Sequence, residues 1–190
     1  MGLFLFGLVL FLGIHSVAIV APAWRDAQAA RRPGAWKMAY SVVSALGLVL
    51  LIYGYGAARQ VTPVVWTPPA ALRHLALLLM LPVFPLLLAA YLPGRISRAA
   101  KHPMLLAVKF WATAHLLANG TLVDMLLFGA FLAWAVADRI AVKRRAVPRA
   151  VPGAPASARN DLIVVVVGLV LYGAFLGGVH RWLVGVSPLM

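Results

Sequence analysis

Residues 101–120, KHPMLLAVKFWATAHLLANG, hold two of the five histidines of the chain within an otherwise apolar stretch. At about 100° and 1.5 Å per residue, a helix through this stretch places His102 and His115 roughly 20 Å apart and on different faces. The two imidazoles therefore cannot share one metal ion. A polar residue at membrane depth predicts a functional site, and His115 is the candidate in this stretch.

The composition of the rest of the chain is that of an integral membrane protein. The 190 residues are 64% hydrophobic and include only four acidic side chains. No cysteine is present, which excludes disulfides, thiol nucleophiles and cysteine-ligated metal centres. The formal net charge of +13 does not indicate nucleic-acid binding, because the Lys and Arg side chains lie in the gaps between apolar runs.

Apolar runs of bilayer-spanning length predict an all-α fold: a polytopic membrane helical bundle with about six transmembrane helices, in a single domain over residues 1–190. The predicted spans are 2–23, 38–58, 75–92, 104–118, 122–137 and 162–180. We interpret the first span as a retained helix rather than a signal peptide, because no Lys or Arg precedes Arg25. Pro82 and Pro85 predict a kink in the third span.

The segments between the spans differ in character. Residues 24–37 are predicted to form a basic loop with two interfacial tryptophans, and residues 59–74 a proline-rich loop. Residues 139–160 are predicted to be a mobile, basic cytoplasmic linker attracted to anionic lipid. In the last span, the small residues Gly173 and Gly177 predict a close approach between helices.

Basic residues are distributed unevenly between the two sides of this topology. Thirteen Lys and Arg lie in the first, third and fifth loops, and three lie on the opposite side. The positive-inside rule then places both termini on the outer side of the membrane. In this orientation His15 lies about 12 residues from the outer end of its span, and His115 lies about 12 residues from the inner end of its span. The two imidazoles can therefore lie at the same depth to within several ångströms.

Two imidazoles at one depth leave several chemistries open. A zinc ion would need further ligands, and a proton relay would usually include acidic groups. Haem iron takes an axial imidazole from each of two helices, and Arg98, Lys101 and Lys109 are cations that could meet the propionates. A structural histidine bonded to a neighbouring helix is an equal alternative for His15, and Lys109 can instead extend to the cytoplasmic interface.

The other titratable side chains of the apolar segments have no predicted role in a site. His74 and His180 are expected at the outer interface, where they would titrate in water. Asp124 is the one carboxylate predicted within a span, either protonated or paired with a neighbouring group. No role follows from the sequence for His102.

Three parts of the chain resemble the NnrU family of bacterial membrane proteins. They are GLVLFLGIHSVAIVAPAWR near the N-terminus, RISRAAKHPMLLAVKFWATAHLLANG followed by LLFGAFLAWAVADR in the centre, and HRWLVGVSP near the C-terminus. This family is similar to the plant 15-cis-zeta-carotene isomerases, which are haem b proteins. The resemblance implies haem b with axial ligands at His15 and His115, in a protein of the bacterial inner membrane, where the charge distribution predicts periplasmic termini. The plant isomerases carry a cysteine three residues before the second ligand, where this chain has Ala112.

The resemblance also implies a biological setting, because the NnrU family is associated with denitrification gene clusters. It implies redox metabolism related to nitric oxide or isomerase-like chemistry, and leaves open whether the protein is an enzyme. The expected partners are the lipid bilayer and a hydrophobic small molecule or a denitrification-related membrane protein.

Two alternatives of other classes remain. One is a non-catalytic membrane factor that assists a nitrite or nitric oxide reductase. The other is a methyltransferase, because the segment from Arg98 to Pro103 also resembles the R-H-P segment of isoprenylcysteine carboxyl methyltransferases. Those enzymes follow it with an acidic C-terminal segment, whereas this chain contains no Glu.

Overall fold

The computed structural model describes residues 1–145 and 153–189, and all regular elements in these ranges are helices. In chain order they are α1 (Gly2–Val20), α2 (Pro22–Arg31), α3 (Pro33–Arg59), α4 (Ala70–Met80), α5 (Val83–Ala89), α6 (Arg95–Ala100), α7 (Pro103–Ala118), α8 (Leu122–Arg144), α9 (Ala158–Ala174), a π-helical turn (Phe175–Val179) and α10 (His180–Val184). The predicted all-α fold is confirmed.

Five helical stretches among the described residues are long and apolar enough to cross a membrane. They are Gly2–Val20, Pro33–Arg59, Ala70–Ala89, Leu122–Arg144 and Ala158–Val184. The fourth predicted span, 104–118, corresponds to α7, which has 16 residues and is shorter than the roughly 20 that cross a 30 Å hydrocarbon core. The chain is thus a helical membrane protein with five full-length spans and one short apolar helix.

Residues 24–37 were predicted as a loop, and this prediction is wrong because most of them are helical. α2 begins at Pro22 and α3 begins at Pro33. Proline suits the first turn of a helix, since the N–H that it lacks would have no intrahelical acceptor there. The interfacial tryptophans lie on these two helices, and the rings of Trp24 and Trp36 pack edge to face with centroids 5.7 Å apart.

The predicted kink in the third span is confirmed. α4 ends at Met80 and α5 begins at Val83, so the helix is interrupted at Leu81 and Pro82. A proline within a helix removes one backbone donor and crowds the preceding turn. The two halves are therefore separate short helices rather than one straight span.

The segment predicted as a linker, residues 139–160, is partly helical at both ends. α8 continues to Arg144, where its basic last turn suits the negative end of the helix dipole. Ser157 caps α9 by accepting a hydrogen bond from the N–H of Arg159. Residues 146–152 of the predicted linker lie outside the described residues.

The described chain forms two compact units, and each is considered by itself. The first unit comprises Met1–Thr67 and Asn119–Arg145, and its centre is the contact between α1 and α3. Gly7, Gly47 and Gly54 let these two helices touch, because a Cβ at any of the three would overlap main-chain atoms of the facing helix. Glycine thus sets the spacing of the first unit.

A buried capping box fixes the start of α8 in the same unit. The hydroxyl oxygen of Thr121 accepts from the N–H of Asp124, and the carboxylate of Asp124 accepts from the N–H and hydroxyl of Thr121. The hydroxyl of Tyr55, on α3, donates to Asp124 Oδ1 at 2.6 Å. Asp124 is 1% exposed, so the carboxylate predicted within a span is a satisfied helix cap.

The second unit comprises Pro68–Ala118 and Ala146–Met190. α5 lies at its centre and packs against both α7 and α9. Val83, Leu86 and Ala107 form a buried apolar cluster at the contact between α5 and α7. The single domain predicted over residues 1–190 stays a prediction.

Close packing in the second unit does not use the small residues that the sequence suggested. Gly168 faces Pro85, and a Cβ on Gly168 would overlap the proline ring. A Cβ on Gly173 or Gly177 would meet no described atom within 4 Å. Among the described residues, Gly173 and Gly177 therefore do not make the close contact between helices that was predicted for them.

The third basic loop of the sequence contains the short helix α6, which is held by a carboxylate from α9. The two oxygens of Asp161 accept from the N–H groups of Arg95 and Ile96, each at 2.9 Å. Gly94 makes room for this contact, since a Cβ there would overlap the carboxylate. An anionic group at a helix start is favoured by both the unpaired N–H groups and the helix dipole.

Candidate metal-ligand histidines

His15 lies in α1, within the first unit, and is partly buried. Its Nδ1 atom is 2.7 Å from the carbonyl oxygen of Phe11, one helical turn earlier. A carbonyl oxygen can only accept, so Nδ1 carries the proton of the neutral ring and Nε2 carries the lone pair. This is the tautomer in which a histidine binds a metal through Nε2.

Aromatic side chains from three helices surround His15. The ring centroids of Phe11, Tyr40 and Trp134 lie 4.4, 5.2 and 5.9 Å from that of His15. Within the described part of the chain, Nε1 of Trp134 is buried and has no hydrogen-bond partner. An unpaired buried donor costs about 1–3 kcal/mol, so a ligand with an acceptor group beside His15 would be favoured.

A shallow cleft of about 200 Å³ lies next to this aromatic group, between α2 and α3. Tyr40 belongs to both, since it contacts His15 and lines the cleft. Arg25 and Lys37 also line the cleft, together with Trp36. The sequence analysis did not single out these two cations, although both lie in the basic segment 24–37.

His115 occupies the last turn of α7, in the second unit, and is also partly buried. Its Nδ1 is 2.8 Å from the carbonyl oxygen of Trp111, and the two rings lie 5.3 Å apart. The arrangement repeats that of His15: the proton is on Nδ1 and the lone pair on Nε2. Both predicted ligands thus have the tautomer that ligation requires.

His180 is the residue of this site that the sequence analysis missed. Its ring centroid is 6.4 Å from that of His115, with 27° between the ring planes. Its Nδ1 is 2.6 Å from the carbonyl oxygen of Val186. The one sequence signal that points here is the Gly177-Gly178 pair, which marks a break in an otherwise continuous apolar helix.

The three cations predicted to meet haem propionates all lie in the second unit. Arg98 and Lys101 are exposed and precede α7, whereas Lys109 is partly buried within it. His115 is twelve residues beyond Pro103, about 18 Å along the helix axis. Arg98 and Lys101 therefore lie towards the other end of α7, and their propionate role stays a prediction.

Among the described residues, no three His, Asp or Glu side chains come together as a metal-binding group. A metal held by one or two imidazoles needs its remaining ligands from elsewhere. Porphyrin nitrogens supply them in haem, and water supplies them for a simple divalent ion. The donor set at His15 and at His115 therefore fits an axial haem ligand.

The fold defines a polytopic, all-α membrane protein, and in it His15 and His115 each bond through Nδ1 to a carbonyl oxygen of their own helix. A family model described as NnrU protein matches residues 3–188. The chain belongs to the NnrU family, so the resemblance to that family is confirmed over nearly its whole length. Comparison with curated proteins found no match, and neither did comparison with solved structures.

Proposed function

We propose that this protein binds haem b, with His15 and His115 as the imidazole ligands. The observation that carries the proposal is the hydrogen bond that each ring makes from Nδ1 to the carbonyl oxygen four residues earlier. Each bond favours the lone pair on Nε2, which is the donor an axial imidazole offers to haem iron. The pairing of the two ligands rests on the resemblance to the plant isomerases, and each ligand is supported within its own unit.

The surroundings of His15 suit a flat apolar ligand that carries acidic groups. Phe11 and Tyr40 offer aromatic surface, and the buried N–H of Trp134 can donate to an acceptor. Arg25 and Lys37 in the neighbouring cleft supply positive charge for carboxylates. Bound haem supplies an iron that transfers one electron or binds a diatomic ligand. The chain's own part is to hold the ligating nitrogens, keep the ring protons on Nδ1 and exclude water.

The proposed setting is the bacterial inner membrane, with both termini periplasmic. The excess of Lys and Arg in the first, third and fifth loops supports this orientation. The denitrification association of the family supports a role in redox metabolism of nitrogen oxides, or isomerase-like chemistry on a hydrophobic substrate. Reporter fusions after Arg144 and after Leu189 should report opposite compartments, and equal compartments would mean that a span is miscounted.

The haem proposal is tested by absorption spectroscopy of protein purified from haem-replete cells. The wild type should show a Soret band and a b-type pyridine haemochrome. His115→Ala should lose most of the haem, and His15→Ala should lose it or shift to a five-coordinate spectrum. His74→Ala is the matched control, because His74 is exposed on α4. Folded wild-type protein without colour would refute the proposal.

A second candidate is a non-catalytic factor that assists a membrane-bound reductase. The observation in its favour is the small-residue surface at Gly173 and Gly177, which meets no described atom of the chain and would accept a partner helix. Gly173→Leu should then weaken co-purification of a partner protein while leaving any haem spectrum unchanged. A normal partner yield in this variant would remove the support for this candidate.

A further inference from the structure

His180 lies beside His115 and has no part in the proposed ligand pair. We propose that His115 and His180 together ligate one transition-metal centre within the second unit, through their Nε2 atoms. The two side chains come from different elements, α7 and the start of α10. The metal is either a divalent ion of the copper and nickel class or haem iron, and both take neutral imidazole.

The separation of the rings matches what two imidazoles on one metal require. Two nitrogen–metal bonds of about 2.0–2.1 Å, with about 1 Å from each nitrogen to its ring centre, place the centroids about 6 Å apart when the two imidazoles lie on opposite sides of the metal. The observed distance between the centroids of His115 and His180 is 6.4 Å. The separation of the rings is therefore that of two ligands on opposite sides of one metal.

Both rings are also held in the tautomer that such a centre needs. The carbonyl oxygens of Trp111 and Val186 accept from Nδ1 of His115 and His180, respectively. A carbonyl partner on the second ring nitrogen fixes ring orientation and raises the basicity of the ligating nitrogen. Two histidines with this same arrangement on neighbouring elements distinguish the pair from a chance contact.

The backbone before His180 is specialised in a way that positions its side chain. A kink at Gly178 precedes it, where two helical segments meet, and Gly178 has a φ of 155°, which side-chain-bearing residues rarely adopt. The Phe175 ring packs on Phe84 of α5 with centroids 4.9 Å apart, which anchors the turn. Because the helix is broken at Gly178, His180 does not continue the helical register of α9.

The inference shares His115 with the proposed function, and the one lone pair on its Nε2 holds either haem iron or a divalent ion. A divalent ion would occupy the pair in haem-free protein, and haem iron on the pair would have His180 in place of His15. The first experiment therefore uses haem-free protein in detergent, titrated with divalent copper and followed by electron paramagnetic resonance. The wild type should bind one saturable copper ion whose spectrum shows two imidazole nitrogens. His180→Ala and His115→Ala should each lose one nitrogen and at least about tenfold in affinity.

Control variants test whether copper binds at His115 and His180 rather than elsewhere on the protein. His74→Ala should bind copper as the wild type does, because His74 is exposed on α4 and does not belong to the pair. Gly178→Ala should weaken copper binding without removing a ligand, since it strains the turn that positions His180. Circular dichroism establishes that each variant remains folded.

A second experiment distinguishes haem iron from a divalent ion. If the centre is haem iron, His180→Ala should change the spectrum of haem-loaded protein; if it is a divalent ion, that spectrum should stay as in the wild type while copper binding is lost. Two-nitrogen copper binding in a protein that never carries haem would support the pair and refute the proposed function. A His180→Ala variant with wild-type copper binding and a wild-type haem spectrum would overturn the inference and leave the proposed function intact.

Discussion

His15 and His115 make the same hydrogen bond in two differently built units. His15 is enclosed by aromatic rings, in a unit where glycines bring two helix backbones into contact. His115 instead has a second histidine, His180, beside it. The local helix determines the tautomer of each ring, whereas the neighbours in the fold determine what each ring can do. A rigid aromatic site and a two-histidine site are the result.

The largest expected effect concerns the backbone contact of the first unit. Gly54→Ala should lower stability by about 1–3 kcal/mol, because its Cβ would overlap the backbone of Phe4 on α1. Gly173→Ala in the second unit should be neutral or stabilising by up to about 1 kcal/mol, since alanine favours helix and nothing opposes it there. Thermal unfolding in detergent measures both, and equal melting temperatures would contradict the contrast between the units.

The two carboxylate caps differ in burial, and their removal should differ accordingly. Asp124→Ala leaves the buried hydroxyl of Tyr55 without its acceptor and should cost about 1–3 kcal/mol. Asp161→Ala removes a cap at an exposed site and should cost less. Added salt should shrink only the Asp161 effect, because screening acts on exposed charge. Equal losses of stability in the two variants at high salt would show that burial does not make the Asp124 cap stronger than the Asp161 cap.

Removing the unpaired indole N–H beside His15 should have a smaller effect. The effect should be neutral or favourable in haem-free protein and unfavourable for haem binding. Trp134→Phe removes a buried donor that lacks an acceptor among the described residues, so haem-free protein should be unchanged or up to about 1 kcal/mol more stable. The same change should weaken haem retention if the N–H donates to the ligand. Trp182→Phe is the control, because Trp182 is 82% exposed. Loss of stability in haem-free Trp134→Phe would show that the packing of the indole ring outweighs the cost of its unpaired N–H.

A change in stability of similar, small size is expected at the turn before α7. Lys101 has a φ of 60°, and the N–H of His102 bonds to the carbonyl oxygen of Ala100, which together form a strained γ-turn. Lys101→Gly should relieve that strain and raise stability by about 1 kcal/mol. Lys109→Gly, within α7, should lower it by about the same amount. A destabilising Lys101→Gly would show that the lysine side chain has a role of its own.

Much of the fold could be predicted from composition and local pattern. Apolar runs placed the five full-length spans and the short helix α7 to within a few residues at most ends, and Pro82 marked the break in the third. The error at residues 24–37 has a local cause: the basic residues of this segment indicated a loop, although Pro22 and Pro33 each begin a helix. The sequence likewise singled out His15 and His115, because a histidine in an apolar run is rare.

Local pattern was therefore enough for the class of protein and the approximate position of each apolar helix, and it singled out two candidate ligands, because each of these depends on residues close together in the chain. The tertiary structure alone decided that Tyr55 meets Asp124, that Trp134 lies by His15, and that His180 lies by His115. These pairs are separated by many residues, and their contact depends on how each helix is rotated and how closely it approaches its neighbour. Those two quantities are set by packing at glycines and by helix breaks, which local hydropathy does not encode.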